Sequence, residues 1–206
     1  MFYRYEDGHG LPHDPLKAIV APRPIGWISA RSKHGQVNLA PYSFFNMIST
    51  RPCLLMFSSE GHKDSVAFIE ETGEFATNLV SADLAVQMNK TSVNAPRGIS
   101  EFEYSGLTEA DCTLIGAPRV AEAYATLECV LTDIQNPKDR NGNPVSAFMV
   151  IGEVIGVHIN EAILTNGLVD ISKAQPVSRL GYMDFASVSE TFRMFRPKWD
   201  QGPERP

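Results

Sequence analysis

Nothing in this sequence reaches the roughly 18–20 consecutive apolar residues that a bilayer-spanning helix needs. Cysteine is scarce: Cys53, Cys112 and Cys129 are odd in number and far apart. That argues against a disulfide framework and leaves no C-x-x-C redox or metal pair. Cys53 and Cys129 sit in apolar stretches and read as small buried hydrophobes. Basic residues are outnumbered, 18 Lys and Arg against 24 Asp and Glu, for a formal net charge of -6. General nucleic-acid binding driven by counterion release is therefore not expected, although a phosphate responds to the local field rather than to net charge. His9, His13, His34, His62 and His158 show neither H-E-x-x-H nor facial-triad spacing, so the sequence predicts no metal site. There is no G-x-S-x-G nucleophile motif. There is also no G-x-G-x-x-G after a strand and no regular βαβ alternation, so a doubly wound parallel sheet fits poorly. The start, Met1 to Asp7, lacks the basic and apolar parts of a signal peptide, which predicts a cytoplasmic chain that does not enter membranes.

What remains is an ordinary globular composition over 206 residues, 43% hydrophobic and 20% charged, without repeats or a dividing linker. One domain over residues 1–206 is predicted, with 183–206 as a C-terminal tail. Ile25-Gly26-Trp27-Ile28-Ser29-Ala30 reads as a strand, and a glycine-containing turn at residues 33–36 leads into Val37-Asn38-Leu39-Ala40 as its hairpin partner. Cys53-Leu54-Leu55-Met56-Phe57 suits a buried strand. Asp64 stands where an N-cap belongs, before a short helix that Gly73 ends. A strand at residues 75–80 and a second helix from Ser81 follow, with Leu84, Ala85 and Met88 at helical spacing. Residues 100–106 read as a short helical turn. From residue 119 to 134 the alternation is strand-like, with Leu127, Cys129 and Leu131 on one face and Glu128 on the other, an outer or interface face. Beyond a polar loop, residues 147–159 form a long strand with Met149, Ile151, Ile155 and Val157 on one side and His158 on the other. Many strands with few short helices predict a mainly β, antiparallel barrel with short helical insertions.

Three stretches could carry chemistry. Asn38-Leu39-Ala40-Pro41-Tyr42-Ser43-Phe44-Phe45-Asn46 could offer backbone groups, Ser43 and Asn46 to the polar edge of a flat heteroaromatic ring, while its aromatics shield that ring. A core segment turning a barrel corner would read the same way. Ser58-Ser59-Glu60-Gly61-His62-Lys63-Asp64-Ser65 places hydroxyls and a lysine at a helix start, which suits a phosphate monoester or simply a capped helix with a solvated lysine. In Pro176-Val177-Ser178-Arg179-Leu180-Gly181-Tyr182, the arginine can fix a carbonyl or phosphate or bridge a loop. No catalytic triad emerges, so no catalytic residue is assigned.

Taken together and in order, these stretches resemble the flavin reductase-like family of FMN-binding split barrels, which includes flavoredoxin-type proteins. The likeness also rests on Pro22-Arg23-Pro24-Ile25-Gly26-Trp27-Ile28-Ser29, Lys63-Asp64-Ser65, Glu74-Phe75-Ala76-Thr77-Asn78-Leu79, Glu101-Phe102 and Leu127-Glu128-Cys129, and it runs from about Leu16 to Tyr182. It implies a Greek-key antiparallel split β-barrel, usually a homodimer with flavin near the subunit interface. By position, Trp27 and Ser29 would lie along the flavin. Ala40, Pro41, Tyr42 and Ser43 would follow the ring's polar edge, with Phe45 and Asn46 adjacent. Ser58, Ser59, Lys63 and Ser65 would take the phosphate, and Arg179 would approach from the C-terminal loop. Ser65 stands where the family often has threonine, which keeps the hydroxyl. The implied cofactor is FMN in preference to FAD. The implied reaction passes electrons from NAD(P)H, a transient donor, through bound flavin to a second acceptor. A flavin-bearing electron carrier without nicotinamide turnover, and a barrel that merely binds a ligand, stay open as alternatives. The tail from Met194 to Trp199 is less typical of the family and could pack on a partner subunit or hang free.

Overall fold

The structure, a computed structural model, describes residues 1–197 and residue 199. The tail residues Lys198 and 200–206 lie outside the described residues; Met194, Phe195 and Trp199 are exposed. Ten strands and four helices matter below. The strands are β1 (Arg23–Pro24), β2 (Gly26–Arg31), β3 (Val37–Tyr42), β4 (Phe45–Thr50), β5 (Cys53–Glu60), β6 (Glu74–Asn78), β7 (Ala125–Gln135), β8 (Ala147–Ile159), β9 (Val177–Arg179) and β10 (Phe185–Ser187). The helices are α1 (Leu16–Ile19), α2 (Asp64–Thr72), α3 (Ala85–Lys90) and α4 (Glu101–Ser105).

The predicted hairpin forms as β2 and β3, paired from Gly26↔Tyr42 to Arg31↔Val37. Its turn is held by Ser32, whose hydroxyl accepts the N–H groups of His34 and Gln36. Seven antiparallel strands make one sheet in the order β3-β2-β6-β7-β8-β5-β4. β3 and β4 are its opposite edges, yet only Ser43 and Phe44 separate them in the chain. A two-residue connection between opposite edges is possible only if the sheet curls until they meet. At the seam the Ser58 N–H donates to the Phe44 carbonyl at 2.8 Å. Pro41 tolerates its place because β3 is an edge strand, where a missing N–H costs the ladder little. The small sheet β1-β9-β10 ties the C-terminal part to the entry of β2.

Alternation along the strands divides the apolar residues into two clusters. Inside the curl, Ile28, Ala30, Leu55, Phe57, Phe75, Cys129 and Val150 pack against Val66, Phe68 and Ile69 of α2. On the other face, Trp27, Leu39, Val80, Leu84, Met88 and Phe102 pack under α3 and α4. α2 starts one residue earlier than an Asp64 cap requires: Lys63 is the N-cap, and Asp64 occupies the first turn. Gly73 ends the helix in the left-handed conformation, as expected of a glycine there. In β8 the core-facing residues are Phe148, Val150 and Val154 rather than the Met149 set, and Ile155 and Val157 are exposed. A register shift between Val154 and Gly156 interrupts the alternation there.

One close approach fixes the corner beside the seam. A Cβ on Gly26 would lie 2.5 Å from Cδ2 of Phe45. Gly26→Ala is expected to destabilise the chain by about 1–3 kcal/mol, the usual cost of forcing extra volume into a packed site. Urea unfolding measures it, and an unchanged midpoint would show that the Phe45 ring moves aside freely.

Candidate functional site

Three open clefts surround the seam, and Pro41 lines all of them. The first, about 320 Å³, is bounded by Asn38, Ala40, Tyr42, Lys63, Ser65 and the loop from Thr91 to Arg97. The second, about 640 Å³, is more apolar and includes Ile25, Val86, Met88 and Phe185, together with Ser43 and Arg179. The third, about 230 Å³, is lined by Lys17, Arg23, Ser43, Ser58, Lys63 and Arg179, with Glu60 as its one carboxylate. Ala40, Pro41, Tyr42, Ser43, Ser58, Lys63, Ser65 and Arg179 are thus brought together from β3, the seam, β5, α2 and β9.

The charge at the third cleft is unusual. Arg23 and Arg179 are directly opposite each other in the β1–β9 ladder, an arrangement that is repulsive by itself. Ion pairs among the described residues are Arg31–Glu109, His62–Glu70, Arg97–Asp64, Arg140–Glu6 and His158–Glu128. None involves Lys17, Arg23, Lys63 or Arg179. Arg23 is 7% exposed, and its guanidinium donates to the carbonyls of Lys17, Val20 and Leu180. Arg179 donates to the carbonyls of Tyr182 and Asp184 and stacks on Phe185, 4.4 Å from the ring centroid. Carbonyls hold these guanidinium groups without cancelling their charge. Burial, and then the neighbouring Arg179, pull Arg23 below its ordinary pKa. An anion in this cleft would relieve the repulsion.

Behind the first cleft lies a buried polar chain. The Glu101 carboxylate accepts the Leu39 N–H at 3.1 Å and the Asn38 side-chain amide at 3.3 Å. Asn38 Oδ1 in turn accepts the Ser65 hydroxyl. Burial raises the Tyr42 phenol above its ordinary pKa, against the pull of the Ser65 and Ser59 hydroxyls beside it. These bonds hold the backbone of residues 38–42 in one geometry.

Other sequence-selected residues lie elsewhere. Trp27 and Ser29 are fully buried and line none of the three clefts. Strand alternation puts them on the face opposite Ile28 and Ala40. There the Trp27 indole N–H donates to Thr91 at 2.9 Å, and the Ser29 hydroxyl donates to the Pro118 carbonyl at 2.6 Å. Trp27 therefore supports a residue of the cleft wall from behind. Phe45 packs into the inner core, Asn46 accepts the Met47 N–H at the surface, and the Ser59 hydroxyl is turned into the Gly61 carbonyl. Sequence reading assigned no role to Lys17, Arg23, Arg97 or the loop from Thr91 to Ala95. The one available signal was an arginine enclosed by prolines in an apolar stretch. Glu128 also differs from expectation. Glu128 is 1% exposed, because a loop covers that face of β7 and gives its carboxylate the N–H groups of Thr113 and Leu114. His158 is drawn to the same carboxylate.

Arg97 faces Asp64 at the start of α2, with bonds of 2.6 and 2.9 Å to Oδ1. It pairs with the carboxylate that follows Lys63 in the chain. If a phosphate monoester binds beside Lys63, Arg97→Ala should weaken it several-fold, and Asp64→Asn added to it should restore most of the loss. If the double variant binds no better than Arg97→Ala, Asp64 is not the source of the repulsion.

Comparison with known proteins gives a consistent picture. The family model described as "Flavin reductase like domain" matches residues 20–177. An uncharacterized protein of Halalkalibacterium halodurans is 33% identical over 194 residues, covering 92% of each chain. Nitrilotriacetate monooxygenase component B from Bacillus cereus superposes with a TM-score of 0.81 at 28% identity, over 91% of this chain and 100% of that one. For the 2-nitrobenzoate 2-nitroreductase of Pseudomonas fluorescens the TM-score is 0.80 at 27% identity, over 91% of each chain. A Shewanella frigidimarina protein with a split barrel domain shares the fold, with a TM-score of 0.80 at 21% identity over 96% of this chain and 100% of that one. With the family match covering most of its length and the curled antiparallel sheet seen here, the chain is a split barrel that belongs to the flavin reductase-like domain family.

Proposed function

We propose that this chain binds FMN at the seam and passes electrons from NAD(P)H through it to a second acceptor. The observation that carries this reading is the set of four cations, Lys17, Arg23, Lys63 and Arg179, around one cleft without an ion-pair partner among the described residues, in a chain of net charge -6. Such a field suits a phosphate monoester. The adjoining second cleft lies within the range of volumes typical of small-molecule sites and is apolar enough for a flat ring. When bound, the flavin supplies the two-electron chemistry, and no protein acid or base is obligatory.

In this reading the backbone of residues 40–43 meets the polar edge of the ring. Lys63 and Ser58 hold the phosphate. Ser59 and Ser65, whose hydroxyls are turned into protein hydrogen bonds, shape that cradle. Arg179, which borders the second and third clefts, favours negative charge on the reduced ring, and Arg23 adds to the positive field around the phosphate. A homodimer is part of the same reading, supported by Met47 and Ile48 on the edge strand β4 and by Ile155 and Val157 on β8, all exposed. No described helix is long and apolar enough to cross a membrane.

The test is anaerobic mixing of the FMN-loaded protein with NADH or NADPH. Rapid loss of the absorbance near roughly 450 nm is expected with at least one of them. If both nicotinamides leave the absorbance unchanged while dithionite bleaches it, the chain is an electron carrier instead.

A further inference from the structure

Outside the clefts, Cys112, Glu128 and His158 converge from a loop and two strands. Their ligand atoms all lie within 4.8 Å of one another, and none of the three lines the clefts at the seam. We propose that they form a binding site for one zinc-class divalent cation, with water at the fourth position. Sulfur, imidazole nitrogen and carboxylate oxygen are the donors zinc prefers, at roughly 2.0–2.3 Å from the metal. The ion would replace the hydrogen bond between His158 Nε2 and Glu128 Oε1, those two atoms moving apart to admit it.

Charge and support favour the same reading. A thiolate, a carboxylate and a neutral imidazole around a dication leave no net charge, which a half-buried site can tolerate. On binding, the Cys112 thiol releases its proton to solvent; no electrons move. The carboxylate is already oriented by the Thr113 and Leu114 N–H groups, each at 2.7 Å, the kind of outer support that metal-binding carboxylates have. Gly156 leaves room for it, since a Cβ there would lie 3.3 Å from Cβ and Cδ of Glu128. His158 is 28% exposed at its side chain, which leaves a path for the ion from solvent. A bound ion would fasten the loop around Cys112 to β7 and β8. Its role is structural. Sequence spacing hid this site, because 16 and 30 positions separate the ligands.

Equilibrium dialysis of the intact protein against zinc, with cobalt as a spectroscopic probe, tests the site. One equivalent per chain is expected, with thiolate-to-cobalt absorption in the near ultraviolet and ligand-field bands in the red. Cys112→Ser should abolish the thiolate absorption and weaken zinc by more than about 100-fold, and His158→Gln by more than about 10-fold. Zinc should raise the unfolding midpoint of the parent protein but not of Cys112→Ser. Stoichiometric binding that survives Cys112→Ser, or a parent protein that takes up no zinc, would overturn the proposal and leave Glu128 and His158 as a metal-free clasp on the loop.

Discussion

Lys63→Ala is expected to weaken FMN binding by about 10- to 100-fold while changing riboflavin by less than about twofold, the span of one or two charge-assisted hydrogen bonds. Lys63 is the N-cap of α2 and borders both the first and the third cleft. Its ammonium has no carboxylate partner among the described residues, since Asp64 beside it is taken by Arg97. The start of a nine-residue helix adds the partial positive charge of its unpaired N–H groups. Riboflavin carries the same ring and ribityl chain without the phosphate, so the ratio of the two losses isolates that group. Raising the salt concentration should narrow the gap between parent and variant, because an exposed lysine acts through a screened field. Equal losses for the two flavins would place the phosphate elsewhere.

Glu101→Ala is expected to destabilise the chain by about 2–4 kcal/mol, because the Leu39 N–H and the Asn38 amide would both lose their acceptor in a buried setting. For a chain of this length that amounts to roughly 4–16 °C in unfolding midpoint. Glu101→Gln keeps one acceptor oxygen and should lose less. A pH signature separates Glu101 from a purely packing role. Burial raises its carboxyl above the ordinary 4.5, against the pull of the Leu39 and Asn38 bonds. The folded chain then holds a proton that the unfolded chain has already released. The contribution of this group is therefore greatest below the ordinary value, and stability falls as pH climbs from 4.5 through the raised folded value. Glu101→Gln cannot titrate, so its denaturation midpoint should vary less with pH across that window. An unaltered pH profile would mean that Glu101 does not titrate as its burial requires.

Much of this fold was legible one strand at a time. Alternation and a glycine turn announced β2 and β3, and the run from Cys53 announced β5, which extends to Glu60. That Pro41 stands on an edge strand emerges only from the pairing of β3. Closure was harder to see, because it depends on β3 and β4 being opposite edges joined by two residues, a fact of pairing rather than of local pattern. The site divided the same way. Residues 40–43, Ser58, Lys63, Ser65 and Arg179 meet at the seam. Trp27 and Ser29 are fully buried and line none of the clefts, Trp27 beneath Thr91 and Ser29 against the Pro118 carbonyl, contacts that no local pattern announces. Arg23, Arg97 and Glu101 escaped because their meaning lies in partners 157, 33 and 63 positions away. Glu128 was placed outward because nothing local announces the loop that covers it.

The central claim, that the seam holds a phosphorylated flavin, is tested most directly by the visible spectrum. The purified protein would be incubated with FMN and passed through a desalting column to remove unbound flavin. Absorption bands near roughly 370 and 450 nm should travel with the protein in about one equivalent per chain. A colourless protein fraction, with all the FMN left behind on the column, would contradict it.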